Sequence, residues 1–376
     1  MTRLPLRLER LLIPVLALAT LAPALAAPSF PPGRSTPAAA MTARAVMPHA
    51  DPPNPTNPLA ARAWGNYLDK WDSLYAAYSA ASGTDRTLLG ALTLQPRMRW
   101  WGAWTADDQI YDQLSEYIRV SNGGNPNVLV QFAIFRLQPW EGQVCGTVPT
   151  QRQRDSYKYW INEAARAIGS AHTAIVLQPD LPFAFCSSRP LVSLGLVSYA
   201  AQKLSALPNT SVYLDAGAYD WRSVANTAWM LRMAGVRYAR GFALNATHFD
   251  STPNEIWFGA HVVNALYNKG VRGKHFVVNT DENQRPFKAG QVTRQYFNDV
   301  PACTTRVQRY CSAVGIPPTT DVANARWGLP PRSRGWAARL VDAYMWIGRP
   351  WLSPNTLTPS QFVGRALNLA RWRGFR

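Results

Sequence analysis

Aspartates and tryptophans recur at the ends of short apolar runs in this sequence. Asp180 follows one such run and Asp215 ends the next, while Asn245 and Asn279 sit at the ends of two later ones. Trp100, Trp101 and Trp104 cluster at an earlier run, and Trp346 and Trp351 mark the last. Carboxyl groups supply protons or nucleophiles, and the flat face of an indole matches the apolar face of a pyranose ring, so this set suits a glycan cleft. Nothing in the pattern resembles a serine or cysteine triad. Trp64, Trp71, Trp160 and Trp229 read instead as core or helix-packing residues.

Such residues can converge only if an ordered set of elements brings them to one rim. The apolar runs at 98–101, 128–135, 173–177, 212–215, 241–244, 275–278 and 343–347 are bounded by turn residues. They alternate with stretches of helical period at 107–120, 156–168, 191–204, 223–233 and 254–266, the pattern of a parallel sheet with crossover helices. Seven strands of this kind predict a barrel or a wound sheet, whose function gathers at the carboxyl ends of the strands. No Gly-x-Gly-x-x-Gly follows the first strand and no phosphate-binding Gly-x-x-x-x-Gly-Lys motif occurs, so no nucleotide cofactor is expected.

The 376 residues are 47% hydrophobic and 16% charged, too apolar for a disordered chain. Lys and Arg outnumber Asp and Glu by 39 to 22, a formal charge of +17, which brings nucleic acid into consideration. The cations are scattered, however, with no basic run and no zinc-finger or basic-zipper pattern, so nucleic acid is not an expected partner. Arg3, Arg7 and Arg10 precede an apolar stretch at 11–25, and Ala24-Leu25-Ala26 offers the small residues a signal peptidase accepts. Residues 1–26 are therefore predicted to be a secretory signal, 27–60 a Pro/Ala-rich spacer and 61–376 the folded part. The stretch is shorter than the ~20 residues of a spanning helix and contains Pro14 and Pro23; an uncleaved anchor is the alternative. A secreted monomer, free of the membrane after cleavage, is the expectation. In an oxidising compartment Cys145, Cys186, Cys303 and Cys311 form an even set that can be fully paired. Of the three possible pairings, Cys145 with Cys186 and Cys303 with Cys311 is favoured, because the second pair closes a short local loop. No metal site is expected, since the spacings fit no Cys-x-x-Cys pair.

Several segments together resemble one family. Gln95-Pro96, Val176-Leu177-Gln178-Pro179-Asp180, Val212-Tyr213-Leu214-Asp215-Ala216-Gly217, Gly241-Phe242-Ala243-Leu244-Asn245, His275-Phe276-Val277-Val278-Asn279-Thr280 and Asp342-Ala343-Tyr344-Met345-Trp346 occur in the order found in glycoside hydrolase family 6. The chain thus resembles the secreted cellulases, endoglucanases and cellobiohydrolases of that family over roughly residues 91–352. The resemblance implies a distorted seven-stranded parallel α/β barrel, in agreement with the strand count, and cleavage of β-1,4-glucan with inversion. It implies that Asp180 is the general acid, in a Glu-Pro-Asp motif that here has Gln178 in place of the glutamate. Asp215 would be the anion that raises the acid's pKa, or else a structural hydrogen-bonding group. Trp221 would stack on sugar and Asn245 would be a polar sugar contact, with Trp101, Trp104, Trp346 and Trp351 as further substrate-binding candidates.

The chain departs from the family where water must be activated. The Asp-Arg-Asp-Cys loop after the second strand is replaced by the stretch 137–145, which keeps Cys145 and has Glu141 as its one acid. The loop after the seventh strand, where the family carries its proposed base, reads Gly348-Arg349-Pro350-Trp351-Leu352-Ser353 and contains no carboxylate. Phe135 stands near a family tyrosine and Asn279 at a family aspartate. Two expectations follow. One is a β-1,4-glucan hydrolase, with water activated through Glu141, Asp281 or a water chain and a shortened last loop that opens the cleft to internal cleavage. The other is a glucan-binding protein that kept the cleft and lost the chemistry.

Overall fold

The computed structural model describes residues 56–60, 62–68, 72–137, 147–287, 291, 300–352 and 358–375, all within the unit Ala43–Arg376. Seven strands carry the architecture: β1 Arg99–Gly102, β2 Val130–Phe135, β3 Thr173–Leu177, β4 Thr210–Asp215, β5 Gly241–Leu244, β6 His275–Asn279 and β7 Val341–Met345. They pair in sequence order, each parallel to the next. Because every connection advances the same way, the sheet curls continuously instead of reversing as a wound sheet does. The result is the curled, distorted seven-stranded α/β barrel that the family resemblance implied, one of the two arrangements the strand count allowed.

Nine helices accompany the strands among the described residues: α1 Tyr75–Ala80, α2 Gly83–Thr93, α3 Ile110–Ser121, α4 Gln151–Ile168, α5 Pro190–Ser205, α6 Val224–Met233, α7 Thr252–Tyr267, α8 Pro331–Leu340 and α9 Pro359–Arg371. Helices α3 to α7 are the predicted crossovers, and their starts are set by caps. Thr150 accepts the Gln153 N–H while the Gln153 side chain accepts the Thr150 N–H, a reciprocal cap that starts α4 five residues before the expected 156. Ser223 and Ser251 cap α6 and α7 in the simpler way.

Both faces of the sheet are buried. Phe132, Ile175, Leu177, Leu214, Phe242 and Phe276 face the helices, whereas the alternate residues Ala133, Ala174, Val176, Tyr213, Ala243 and Val277 fill the barrel. Apart from Tyr213 these inward residues are small, which suits the narrow interior. At its amino end, buried Asp342 accepts the Tyr213 hydroxyl at 2.7 Å and two Arg240 hydrogen bonds at 2.9 Å each. β1 and β7 form no ladder with each other. Among the described residues, the Met98 N–H donates across that seam to the Trp346 carbonyl at 2.9 Å, and the Trp100 indole N–H donates to the Ile347 carbonyl at 2.6 Å.

Candidate active site

Chain direction reverses sharply after β3. Gln178 and Asp180 both take left-handed backbone conformations, with φ of 57° and 64°. Such conformations are costly for side-chain-bearing residues and persist where surrounding contacts enforce them. Here the Gln178 N–H donates to the Ile134 carbonyl at 2.7 Å, and its side-chain oxygen accepts the Leu137 N–H at 3.2 Å. Gln178 therefore ties the turn to the end of β2, a role that an uncharged side chain fills. The turn leaves Asp180 half-buried at the head of the 3-10 turn Leu181–Cys186.

Asp180 Oδ1 accepts the Thr247 hydroxyl at 2.6 Å. Burial pushes the Asp180 carboxyl up to about 6, against the opposing pull of the Thr247 hydroxyl and of His248. Asp215 ends β4 fully buried, with Oδ2 accepting the Gly217 N–H at 3.2 Å. Burial first, and the charge of Asp180 second, raise its pKa well above the ordinary value. The two carboxyls thus share one site, with burial the leading cause of the rise at both. Gly217, at φ 77°, lets the loops after β3 and β4 meet, since a Cβ there would lie 2.8 Å from Pro182 and 2.9 Å from the Trp221 ring.

Trp221 is half-buried in this corner, stacked on Phe183 at 6.1 Å and inclined to His248 at 5.4 Å between ring centres. His248 in turn pairs with Asp220 through Nε2 at 3.0 Å. Thr247, His248 and Asp220 were not foreseen from the sequence. The available signal was the polar run from Asn245 to Asp250 immediately after a strand, at the rim where function gathers.

Several expected substrate contacts lie elsewhere. Asn245 is fully buried at φ 64°, exchanging side-chain hydrogen bonds with the Asp250 N–H at 3.0 Å and carbonyl at 3.2 Å and reaching the Asn279 carbonyl at 3.2 Å. Its polar atoms are committed to closing the loop, which corrects the sugar-contact reading. Trp101 is buried edge-on against Tyr117 on the helix side, Trp346 donates its indole N–H to the Ile316 carbonyl at 3.0 Å, and buried Trp351 donates to Ser73 at 3.1 Å. All three are core residues with no indole face left for a sugar. Trp104 is 57% exposed, as a platform must be. Trp229, expected to be a core or helix-packing residue, is 37% exposed on α6 and packs on Phe185 at 5.6 Å between ring centres, while Trp160 is buried as expected and donates to the Thr105 carbonyl at 3.0 Å.

On the far side of the rim, the Asn279 side chain donates to Asp281 Oδ1 at 2.7 Å and accepts the Ile347 N–H at 2.9 Å, joining the ends of β6 and β7. Asp281 is buried beneath Gly348, where a Cβ would lie 2.5 Å from its Oδ2, and burial together with the neighbouring Glu282 raises its pKa well above the usual value. Glu141 and Cys145 lie outside the described residues. Cys303 and Cys311 form the expected disulfide, with Cα atoms 4.9 Å apart.

Residues 62–354 match the sequence model of Glycosyl hydrolases family 6. The chain belongs to this family. Over 223 residues it is 31% identical to Endoglucanase A of Cellulomonas fimi, a stretch that is 58% of this chain and 46% of that protein. Over 245 residues it is 28% identical to Endoglucanase 1 of Streptomyces halstedii, covering 62% of this chain and 71% of that one. Among solved structures, it is similar to the endoglucanase Cel6 of Mycobacterium tuberculosis, determined in complex with methyl-cellobiosyl-4-deoxy-4-thio-β-D-cellobioside. That similarity has a TM-score of 0.66 at 25% identity and covers 84% of this chain and 98% of that one. The catalytic core of the cellobiohydrolase Cel6A of Chaetomium thermophilum shares the fold, with a TM-score of 0.59 at 19% identity over 83% of this chain and 98% of that one.

Proposed function

We propose that this chain is an exported glycoside hydrolase that cleaves β-1,4-glucan with inversion, with Asp180 as the general acid. The observation that carries the reading is Asp180 itself: a half-buried carboxyl, up at about 6, on an enforced turn at the carboxyl end of β3 beside Asp215. An acid tuned this way is protonated in mildly acidic solution and ready to give its proton up. As the anomeric C–O bond breaks, the Asp180 O–H proton passes to the departing glycosidic oxygen. Water adds to the anomeric carbon from the opposite face and loses its proton to a base, so one water is consumed and one reducing end appears. Glu141, the acid of the 137–145 stretch, is the candidate base. The reaction calls for no cofactor. Pro350–Leu352 turns inward with Trp351 buried, which supports an open cleft and internal cleavage.

The test is release of reducing ends from a soluble β-1,4-glucan. Asp180→Asn is expected to abolish it while sparing an activated aryl cellobioside, whose leaving group needs no proton. Equal turnover of glucan by the mutant would remove Asp180 from the role. The second reading, a glucan-binding protein, draws on the missing carboxylate at 348–352. It holds if the unmutated protein binds cello-oligosaccharides yet releases no reducing ends on prolonged incubation.

A further inference from the structure

The Thr247 contact with Asp180 reaches further than an ordinary surface hydrogen bond. Thr247 lies in the turn between β5 and α7, and that turn is closed at both ends by Asn245, which binds the Asp250 main chain through both side-chain atoms. The His248 N–H donates to the Asn245 carbonyl at 3.2 Å. The His248 ring is then held by Asp220 at 3.0 Å, by Phe249 at 4.3 Å between ring centres and by Trp221. Thr247, flanked by these fixed neighbours and stiff at χ1 because it is β-branched, presents its hydroxyl in one direction.

A protonated carboxyl has two unlike oxygens, one carbonyl-like and one bearing hydrogen. A donor fixed on one of them decides which is which. We propose that Thr247 is the positioning residue for the acid: its hydroxyl, donated to Asp180 Oδ1, makes that oxygen the carbonyl-like one and leaves Oδ2 to carry the proton delivered to the leaving oxygen. This inference rests on Asp180 being the acid. The groups that face Asp180 among the described residues are Asp215 from the end of β4 and, from the β5–α7 turn, Thr247 and His248, with Asp220 and Asp250 behind the imidazole. Thr247 is the uncharged member of that set with a hydroxyl in direct contact.

Thr247→Val keeps the shape and removes the donor; Thr247→Ser keeps the donor. On unactivated β-1,4-glucan, Thr247→Val is expected to lower kcat roughly tenfold with KM within about twofold, and Thr247→Ser to restore most of it. Because the lost hydrogen bond favoured the ionised carboxylate, the alkaline limb of the kcat profile moves to higher pH in the valine variant. A residue that merely stabilised the fold would lower melting temperature and leave that limb in place. The Asp180 carboxyl titration, followed by carbon-13 NMR against an Asp180→Asn control, reads the same shift without any turnover, and it should rise in Thr247→Val. If Asp180→Asn keeps full glucan activity, the assignment of the acid fails. If Asp180→Asn is inactive while Thr247→Val matches the parent in kcat, pH limb and carboxyl titration, the positioning role alone is overturned.

Discussion

Asp180 reaches its place through two left-handed residues in three, and what raises its pKa decides how its neighbour behaves. Burial pushes both Asp180 and Asp215 toward the neutral form, and the Asp180 charge adds to the rise at Asp215. If Asp215 keeps its proton while Asp180 titrates, it adds no charge beside the acid. Asp215→Asn is therefore expected to leave the alkaline limb of the pH profile, near about 6, where it is in the parent. A downward shift of a full pH unit would mean that Asp215 does carry charge there, as the sequence had led us to expect. Trp221 and Trp160 form a second contrast at this scale. Trp221→Ala should weaken cello-oligosaccharide binding with little effect on thermal unfolding, whereas Trp160→Ala, which empties a buried site in α4, should cost ~3–5 kcal/mol. Equal losses of stability in the two variants would make Trp221 a packing residue.

Strands were more legible than helices, and the reason is burial. Each strand is covered on both faces, so it stands out as an unbroken apolar run such as Thr173–Leu177 or His275–Asn279. Helix α8 begins Pro-Arg-Ser-Arg-Gly, and α1, α2 and α9 lie outside the alternation of strands and crossovers, so nothing in that alternation announces them. Asp180 and Asp215 were found because their elements end where chemistry gathers. The tryptophans were harder. An indole at a strand end can fill a core or line a cleft, and residue type does not say which way it points; Trp346 and Trp351 turned inward, Trp104 outward. Thr247 escaped because its role depends on a residue 67 positions away. The strands' own cohesion can be probed at Asp342, which joins β4, β5 and β7 through Tyr213 and Arg240. Asp342→Ala removes the buried acceptor shared by Tyr213 and Arg240 and should cost ~3–5 kcal/mol, measured by denaturant unfolding; a loss under ~1 kcal/mol would assign that cluster no structural weight.

Across the whole molecule, the raised carboxyls have a collective effect. Asp180, Asp215, Glu255 and Asp281 all bind protons more tightly folded than unfolded, each for reasons led by burial. The folded state therefore holds more protons between the ordinary carboxylate range and the raised values, and stability falls as pH rises through that window. Thermal unfolding should occur at higher temperature at pH 5 than at pH 8, and the opposite order would show that these carboxyls are ionised in the native state. Export can be read directly, since the mature protein should begin after Ala26 and carry no alkylatable thiol, with the Cys145–Cys186 link completing the set beside Cys303–Cys311. The seam between β1 and β7 has a consequence for how the molecule yields under load. Six ladders join the strands from β1 round to β7, on the side that holds Asp180 and Asp215, whereas at the seam no ladder forms and the Met98 amide and the Trp100 indole make the cross-links seen among the described residues. Thermal fluctuation will part the wall there first, so the Met98 amide should exchange with deuterium well before those of β3. A thick or branched chain could then be admitted by widening the trough from its weakest edge, with the proton donor left undisturbed on the opposite wall.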